Sequence, residues 1–318
     1  MAAMRDDPLI NRLPPVRGRL AANAPLGPMT WFRTGGPAEV LFRPADEDDL
    51  SSFLSALPAD VPVTVLGVAS NLLVRDGGIA GIVIRLGRRF ASVTVDNERV
   101  SAGAGALDRT VALTAAAAGL SGLEFLYGVP GTIGGALRMN AGAYGREMVD
   151  VVVQARTMDR QGQAHVLSPA DLGLTYRRSS LPQDWIILDT TLSGAPAART
   201  EIEARMADIA RQREESQPVR ARTGGSTFAN PTGEKAWRLI EQAGCRGLRI
   251  GDAMVSEKHC NFIINLGQAS AADIENLGEE VRRRVEAASG IGLRWEIRRI
   301  GAPLPGTLRQ DVPQETTP

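Results

Sequence analysis

Tyr127-Gly-Val-Pro-Gly-Thr-Ile-Gly-Gly-Ala-Leu-Arg-Met-Asn-Ala-Gly-Ala-Tyr-Gly145 places six glycines in nineteen residues. Glycine loses more backbone freedom on folding than any other residue. Such a concentration marks close approach of the backbone to a ligand or to another segment. Gly131-Thr132-Ile133-Gly134-Gly135 follows a Pro-Gly turn and leads into Ala-Leu-Arg-Met, a helix start. A turn that opens a helix offers N–H groups and a positive dipole end, which suit phosphate. On this stretch alone two readings stay open: a cradle for a nucleotide diphosphate, or a structural turn.

The chain around it has 318 residues, enough for two or three domains. Hydrophobic residues make up 43% and charged residues 23%, as in soluble globular proteins. Lys plus Arg balance Asp plus Glu at 36 each, so charge makes no case for nucleic acid or a membrane surface. Cys245, Cys260, His165 and His259 fall in no metal-binding spacing, and no metal is expected. No run approaches eighteen apolar residues, and the acidic N-terminus lacks an apolar signal region. A reducing, cytoplasmic setting is expected.

Periodicity divides the chain further. Residues 9–22 read as a short helix interrupted at Pro14-Pro15. A strand at 38–42, a helix at 47–57 and strands at 63–66, 72–74 and 82–84 follow. Hairpins are expected at 91–102 and 149–167, a helix at 106–118 and a strand at 185–193. After a linker at 194–198, a charged helix runs over 199–215. Then come a helix at 234–242, a strand at 261–265, an amphipathic helix at 270–288 and a strand at 293–300.

Several constellations could carry chemistry. Gly103-Ala104-Gly105-Ala106-Leu107-Asp108 begins like a dinucleotide fingerprint, but Asp108 stands where the third small residue belongs, and a Walker lysine is absent. Gly67-Val68-Ala69-Ser70-Asn71 ends a buried strand, where α/β ligands lie; a capped turn is the alternative. Arg177, beside Tyr176, can fork onto a carboxylate, or form part of a surface arginine pair with Arg178. Thr223-Gly224-Gly225-Ser226-Thr227-Phe228-Ala229-Asn230-Pro231 uncovers a serine hydroxyl. With no histidine base in pattern, it fits a proton donor to a strongly basic carbon, or a cap. Arg294, Glu296 and Arg298 would share one face of a strand, which is also an ordinary ion-pair pattern.

Trp31-Phe32-Arg33-Thr34-Gly35-Gly36, Gly67-x-x-Ser70-Asn71-Leu72-Leu73, Gly128-Val-Pro-Gly-Thr-Ile-Gly-Gly135 with Asn140-Ala141-Gly142, Tyr176-Arg177-x-Ser179, Gly225-Ser226-x-Phe228-x-Asn230-Pro231 and Lys258-His259-x-Asn261-Phe262 resemble, in order, the UDP-N-acetylenolpyruvoylglucosamine reductase family. The direct run from Tyr176 to Trp185 resembles its shorter, type II form. The resemblance implies an α+β fold. A two-subdomain FAD-binding module of the vanillyl-alcohol-oxidase type would span 24–196, divided near 88–89. A substrate-binding domain would span 199–301, with disordered tails at 1–8 and 302–318. It also implies UDP-N-acetylmuramate dehydrogenase activity in peptidoglycan precursor synthesis. FAD would be reduced by NADPH, and the substrate would be an enolpyruvyl ether of a UDP-sugar.

Residue by residue, the resemblance assigns catalysis to Arg177, Ser226 and Glu296. It assigns FAD contacts to Gly67, Ala69, Ser70, Asn71, Leu72, Gly131, Thr132, Gly134, Gly135, Asn140, Ala141 and Gly142. Tyr144, Tyr176 and Asn230 are the expected substrate contacts. A monomer is expected. Two positions depart from the family pattern: Val68-Ala69 stand where glycine is usual, and Ala229 where lysine is expected. Arg213, Arg220 and Arg222 are candidate replacements for that lost basic contact. Another flavin oxidoreductase of this fold, or a non-enzymatic nucleotide-binding protein, are the rival readings.

Overall fold

A computed structural model describes residues 8–308. The chain forms two compact units that do not follow sequence order. Unit one gathers Glu39–Gly67, Gly81–Gln212 and the described part of the first 23 residues; unit two gathers Ala24–Ala38, Val68–Ala80 and the chain from Arg213 onward. Two short segments from the first quarter of the chain therefore belong with its last third.

Unit one holds a four-stranded sheet in the order Arg19–Pro25, Pro37–Arg43, Ile79–Ile84, Val63–Val65. The Glu47–Ala56 helix starts because the Asp46 side chain accepts from Asp49 N at 3.0 Å. Its Leu50, Phe53 and Leu54, on helical spacing, are buried with Val40, Phe42, Ile82 and Ile84. Residues 9–22 depart from expectation: a 3-10 turn at Leu9–Arg12 gives way to a strand at Arg19–Pro25. Leu13 is already extended, because the residue before a proline is pushed out of the helical region.

The second sheet of unit one has five antiparallel strands in the order Ala164–Leu167, Val152–Met158, Ile186–Ser193, Arg99–Gly103, Val93–Asp96. Both expected hairpins lie in it. The Asp108–Ala117 and Ile133–Arg138 helices bury Val111, Ala115, Ile133 and Leu137 in one core with Val100, Ala102 and Leu192.

Unit two contains a three-stranded antiparallel sheet, Arg249–Ile250, Ala253–Val255 and Ile263–Asn265. Its main helix, Ala271–Ser289, buries Ile274, Leu277, Val281 and Val285, the face its periodicity predicts. The helix opens on a Ser270–Asp273 capping box and ends at Gly290 in the left-handed conformation. Asp76 adds a second cap, accepting from Ala271 N and Ala272 N at 2.9 Å each. Leu72–Val74 pairs in parallel with Arg298–Ile300. Beside that pair, Arg75 and Arg299 both bond the fully buried Glu275 carboxylate, Arg75 at 2.8 and 3.0 Å and Arg299 at 3.0 Å.

The expected strand at 293–300 is shorter than its periodicity suggests. Only Arg298–Ile300 is regular. Ahead of it the chain bonds a different neighbour: Glu296 N donates to Thr227 O and Ala229 N to Arg294 O. Arg294 and Glu296 flank a Phe228–Trp295 bridge, and a bend at Ile297 separates them from Arg298, so the three do not lie on one continuous strand. The expected disorder does not extend to residues 302–308 either. Ala302 exchanges backbone bonds with Gly77 and Gly78, and Asn276 donates to Thr307 O at 3.0 Å.

Candidate active site

The glycine stretch opens the six-residue helix Ile133–Arg138 at Thr132, as its sequence suggests. Its first-turn donors are not open, however. Ile133 N bonds Ala106 O and Gly134 N bonds Ala104 O, both at 2.9 Å. A Cβ on Gly134 would stand 2.9 Å from that of Ala104. These two N–H groups thus fix the turn against the loop at 103–106 rather than facing a phosphate.

The second loop meets the turn inside unit one. A Cβ on Gly67 would come within 2.5 Å of Thr132 Oγ1, so glycine here makes room for the Thr132 side chain. Two loops assigned independently to one ligand therefore converge. Under the turn, Asp108 is fully buried, and neither carboxylate oxygen has a hydrogen-bond partner among the described residues. Burial pushes this carboxyl well above the usual carboxylate range, opposed only in part by the Gly131 backbone.

Arg177 belongs to the same unit. It takes the left-handed conformation, φ 58°, in a tight turn closed by two backbone bonds between Thr175 and Arg178. A non-glycine residue there is strained by about 1–2 kcal/mol, which surrounding contacts must offset. Asn140 supplies one, donating to Thr175 O at 3.1 Å. The guanidinium donates to Gly142 O at 3.0 Å and pairs with Glu147 at 3.6 Å. Gly142–Ala143 and Arg146–Glu147 form a small hairpin, with Tyr144 and Gly145 left-handed at its tip. Tyr144 and Tyr176 are both exposed, and the Arg177 guanidinium lies 4.9 Å from the Tyr176 ring centre.

Asn140, expected on the cofactor, has its side chain committed within the protein. It is 1% exposed, donates to Glu147 at 2.8 Å as well as to Thr175, and accepts from Val149 N at 2.9 Å.

Unit two holds Ser226, Glu296 and residues 68–71, the rest of the second loop. Gly224 lets Phe32 approach, since a Cβ there would meet the ring at 2.5 Å, and Gly225 is left-handed at φ 85°. Both glycines ahead of Ser226 are therefore required. Thr227 N bonds Asn261 O at 2.7 Å, and the Asn261 side chain grips both N and O of Phe228, at 3.0 and 2.7 Å. Thr227 O accepts from Glu296 N at 2.8 Å. Asn71 donates to Glu296 O at 3.2 Å, and its own carbonyl accepts from Arg298 N at 3.1 Å. The residue after the expected proton donor, the glutamate and the end of the cofactor loop are thus joined by main-chain bonds and by the Asn71 and Asn261 side chains. Ala69 is buried and left-handed at φ 51°, which accounts for the family's glycine there.

Ala229 is 3% exposed, so this position faces the interior. The three candidate replacements have other partners: Arg213 bonds Gln217, Arg220 pairs with Glu214 and Arg222 bonds Gly267 O. Asn230 is exposed and caps a helix, accepting from Ala236 N at 3.0 Å. Glu147 and Asn261 were assigned no role from sequence. Asn261 sits in a quoted motif, whereas Glu147 carries no spacing signal at all. Among the described residues no cluster of His, Cys, Asp and Glu could hold a metal, and no helix is long and apolar enough to cross a membrane.

The fold is of the α+β class, with Arg177 in unit one and Ser226 and Glu296 in unit two. Residues 38–168 match an FAD binding domain, and residues 217–300 match the C-terminal domain of UDP-N-acetylenolpyruvoylglucosamine reductase. The chain is 63% identical to the UDP-N-acetylenolpyruvoylglucosamine reductase of Paramagnetospirillum magneticum, covering 95% of this chain and 98% of that protein. It is 61% identical to that of Rhodospirillum rubrum, over 96% and 98%. The solved reductase of Thermus caldophilus shares 39% identity with a TM-score of 0.76, covering 89% of this chain and 98% of that one. The chain belongs to the UDP-N-acetylenolpyruvoylglucosamine reductase family.

Proposed function

We propose that this protein reduces the enolpyruvyl ether of a UDP-N-acetylglucosamine to UDP-N-acetylmuramate, with FAD as cofactor and NADPH as reductant, in peptidoglycan precursor synthesis. The observation that carries the reading is that Thr227, next to Ser226, bonds Glu296 through the main chain, while the Asn71 side chain bonds the Glu296 carbonyl, all in one unit. When bound, FAD supplies the hydride for the substrate's methylene carbon.

The residues present fit that cofactor. Gly67 lies against Thr132, whose hydroxyl is a donor at that point. Gly67, Ala69, Ser70, Asn71, Leu72, Gly131, Thr132, Gly134, Gly135, Ala141 and Gly142 would border it, chiefly through backbone. Asn140 would act from behind them. The matched stretches at 38–168 and 217–300 are the proposed cofactor module and substrate domain.

Hydride addition leaves negative charge next to the substrate carboxylate, which preorganised cations and donors stabilise. Arg177 would hold that carboxylate, and Glu296, fixed at its main chain, would polarise the same group. Ser226 would give its proton to the alpha carbon. A hydroxyl is a weak acid, but a carbanion-like carbon is basic enough to take its proton. Tyr144 and Tyr176 are exposed enough to touch the sugar nucleotide, as is the part of Asn230 not used in capping. A cytoplasmic monomer suits this role.

The purified protein should show flavin absorption and oxidise NADPH steadily only when the enolpyruvyl sugar nucleotide is present. Steady oxidation driven by oxygen or an alcohol instead would point to a different flavin oxidoreductase. A colourless, inactive protein would sink both.

A further inference from the structure

We infer that Glu147 is a positioning residue for Arg177, and that Asn140 holds Glu147 in place. Arg177 sits at a turn position that an arginine does not favour, with φ 58°. An arginine side chain has several rotatable bonds, so a strained turn alone does not aim its guanidinium. The aim comes from the hairpin beside it. The Gly142 carbonyl accepts one guanidinium nitrogen at 3.0 Å, and Glu147, paired directly across the hairpin from Gly142, faces another at 3.6 Å.

The other Glu147 oxygen accepts from Asn140 at 2.8 Å. The same Asn140 amide reaches Thr175 O, the base of the Arg177 turn, at 3.1 Å. One buried amide therefore ties the carboxylate and the arginine turn to each other. Gly142 must be glycine for this: a Cβ there would come within 2.5 Å of Glu147 Cγ. A pair at 3.6 Å is a charge contact rather than a hydrogen bond, so it can orient the guanidinium without locking it. That suits a cation that must still turn to a substrate carboxylate, and misplacing such a group by an ångström costs about a hundredfold in rate.

Glu147 can act this way only if Arg177 holds the substrate as proposed above, and the test keeps the two ideas separate. In FAD-loaded Glu147→Gln, flavin reduction by NADPH should stay within about twofold of the parent. Reoxidation by the enolpyruvyl sugar nucleotide should slow by about tenfold to a hundredfold. Calorimetric affinity for that nucleotide, measured without NADPH, should weaken by about tenfold. In an Arg177→Gln background the same change should cost less than about twofold, because the group it aims is gone. Glu147→Asp, which keeps the charge, should fall between parent and Gln.

Equal loss of both half-reactions, loss of FAD, or full additivity with Arg177→Gln would overturn the inference, leaving Glu147 a builder of the hairpin. So would an Asp variant slower than Gln. Normal reoxidation in Glu147→Gln with slow Arg177→Gln would overturn the inference alone. Normal reoxidation in Arg177→Gln would overturn the arginine assignment with it.

Discussion

The surroundings of Arg177 and those of Ser226 are built by different means. Around Arg177, side chains do the holding: Asn140 and Glu147 fix a strained turn and aim a flexible cation. Around Ser226 the main chain does most of it, helped by the Asn261 side chain on Phe228 N and O. Two glycines bend the approach, and backbone bonds from Thr227 to Asn261 and Glu296 set the rest. Among the described residues no hydrogen bond engages the Ser226 hydroxyl. A group held through its backbone can lose its side chain and leave the scaffold intact. A group held through neighbouring side chains cannot be separated so cleanly from its support.

The sharpest way to break this contrast is Ser226→Ala. Reoxidation of reduced flavin by substrate should fall by about a thousandfold. Flavin reduction by NADPH and the melting temperature should hardly move. A large loss of stability would show that the hydroxyl is structural. The two asparagines come next. Asn140→Ala and Asn261→Ala should each cost about 2–3 kcal/mol in denaturant unfolding, since each leaves buried partners unsatisfied. They should differ in kinetics. Asn140→Ala should slow the substrate half-reaction, by releasing the Arg177 turn. Asn261→Ala should slow it by letting the serine segment drift. An Arg177→Gln background should mask the first loss and leave the second.

The smallest effect concerns Asp108, the buried carboxyl under the glycine turn. It binds its proton more tightly folded than unfolded, so folding is favoured by acid. Stability should fall as pH rises above the ordinary value of 3.8, until the raised folded value is passed. Asp108→Asn stays neutral. Its melting temperature should therefore match the parent near pH 4 and exceed it by a margin of about a few degrees that widens with pH and levels once the raised folded value is passed. A margin that narrows with pH would refute the burial of a neutral acid.

Local patterns were legible in the chain. The helices at Glu47–Ala56 and Ala271–Ser289 were placed from the chain, the second by its apolar spacing, while the caps Asp46 and Ser270 are seen in the structure. The two-glycine approach to Ser226 was readable because glycine alone permits those conformations. What escaped depends on partners far along the chain. Asp76 caps a helix that begins at Ala271, and nothing near Asp76 says so. Strands as short as Arg249–Ile250 and Ala253–Val255 are too brief to show a period. Residues 9–22 misled because apolar spacing outweighed the constraint that Pro14 places on Leu13. The helix-start reading of the glycine stretch located the turn correctly but not the use of its donors, which depends on Ala104 and Ala106.

The interleaving of the two units has a consequence for how the protein is made. The chain passes from one unit to the other after Asn23, Ala38, Gly67, Ala80 and Gln212. Leu72–Val74 finds its parallel neighbour only in Arg298–Ile300. On the ribosome, the early strand must therefore wait unpaired until more than two hundred further residues have emerged. Closing a loop of that length is entropically slow, and a waiting apolar strand is exposed to wrong partners. Completion of the unit that carries Ser226 and Glu296 is thereby tied to synthesis of residues 298–300, so a nascent chain stopped short of residue 298 lacks the strand that completes it.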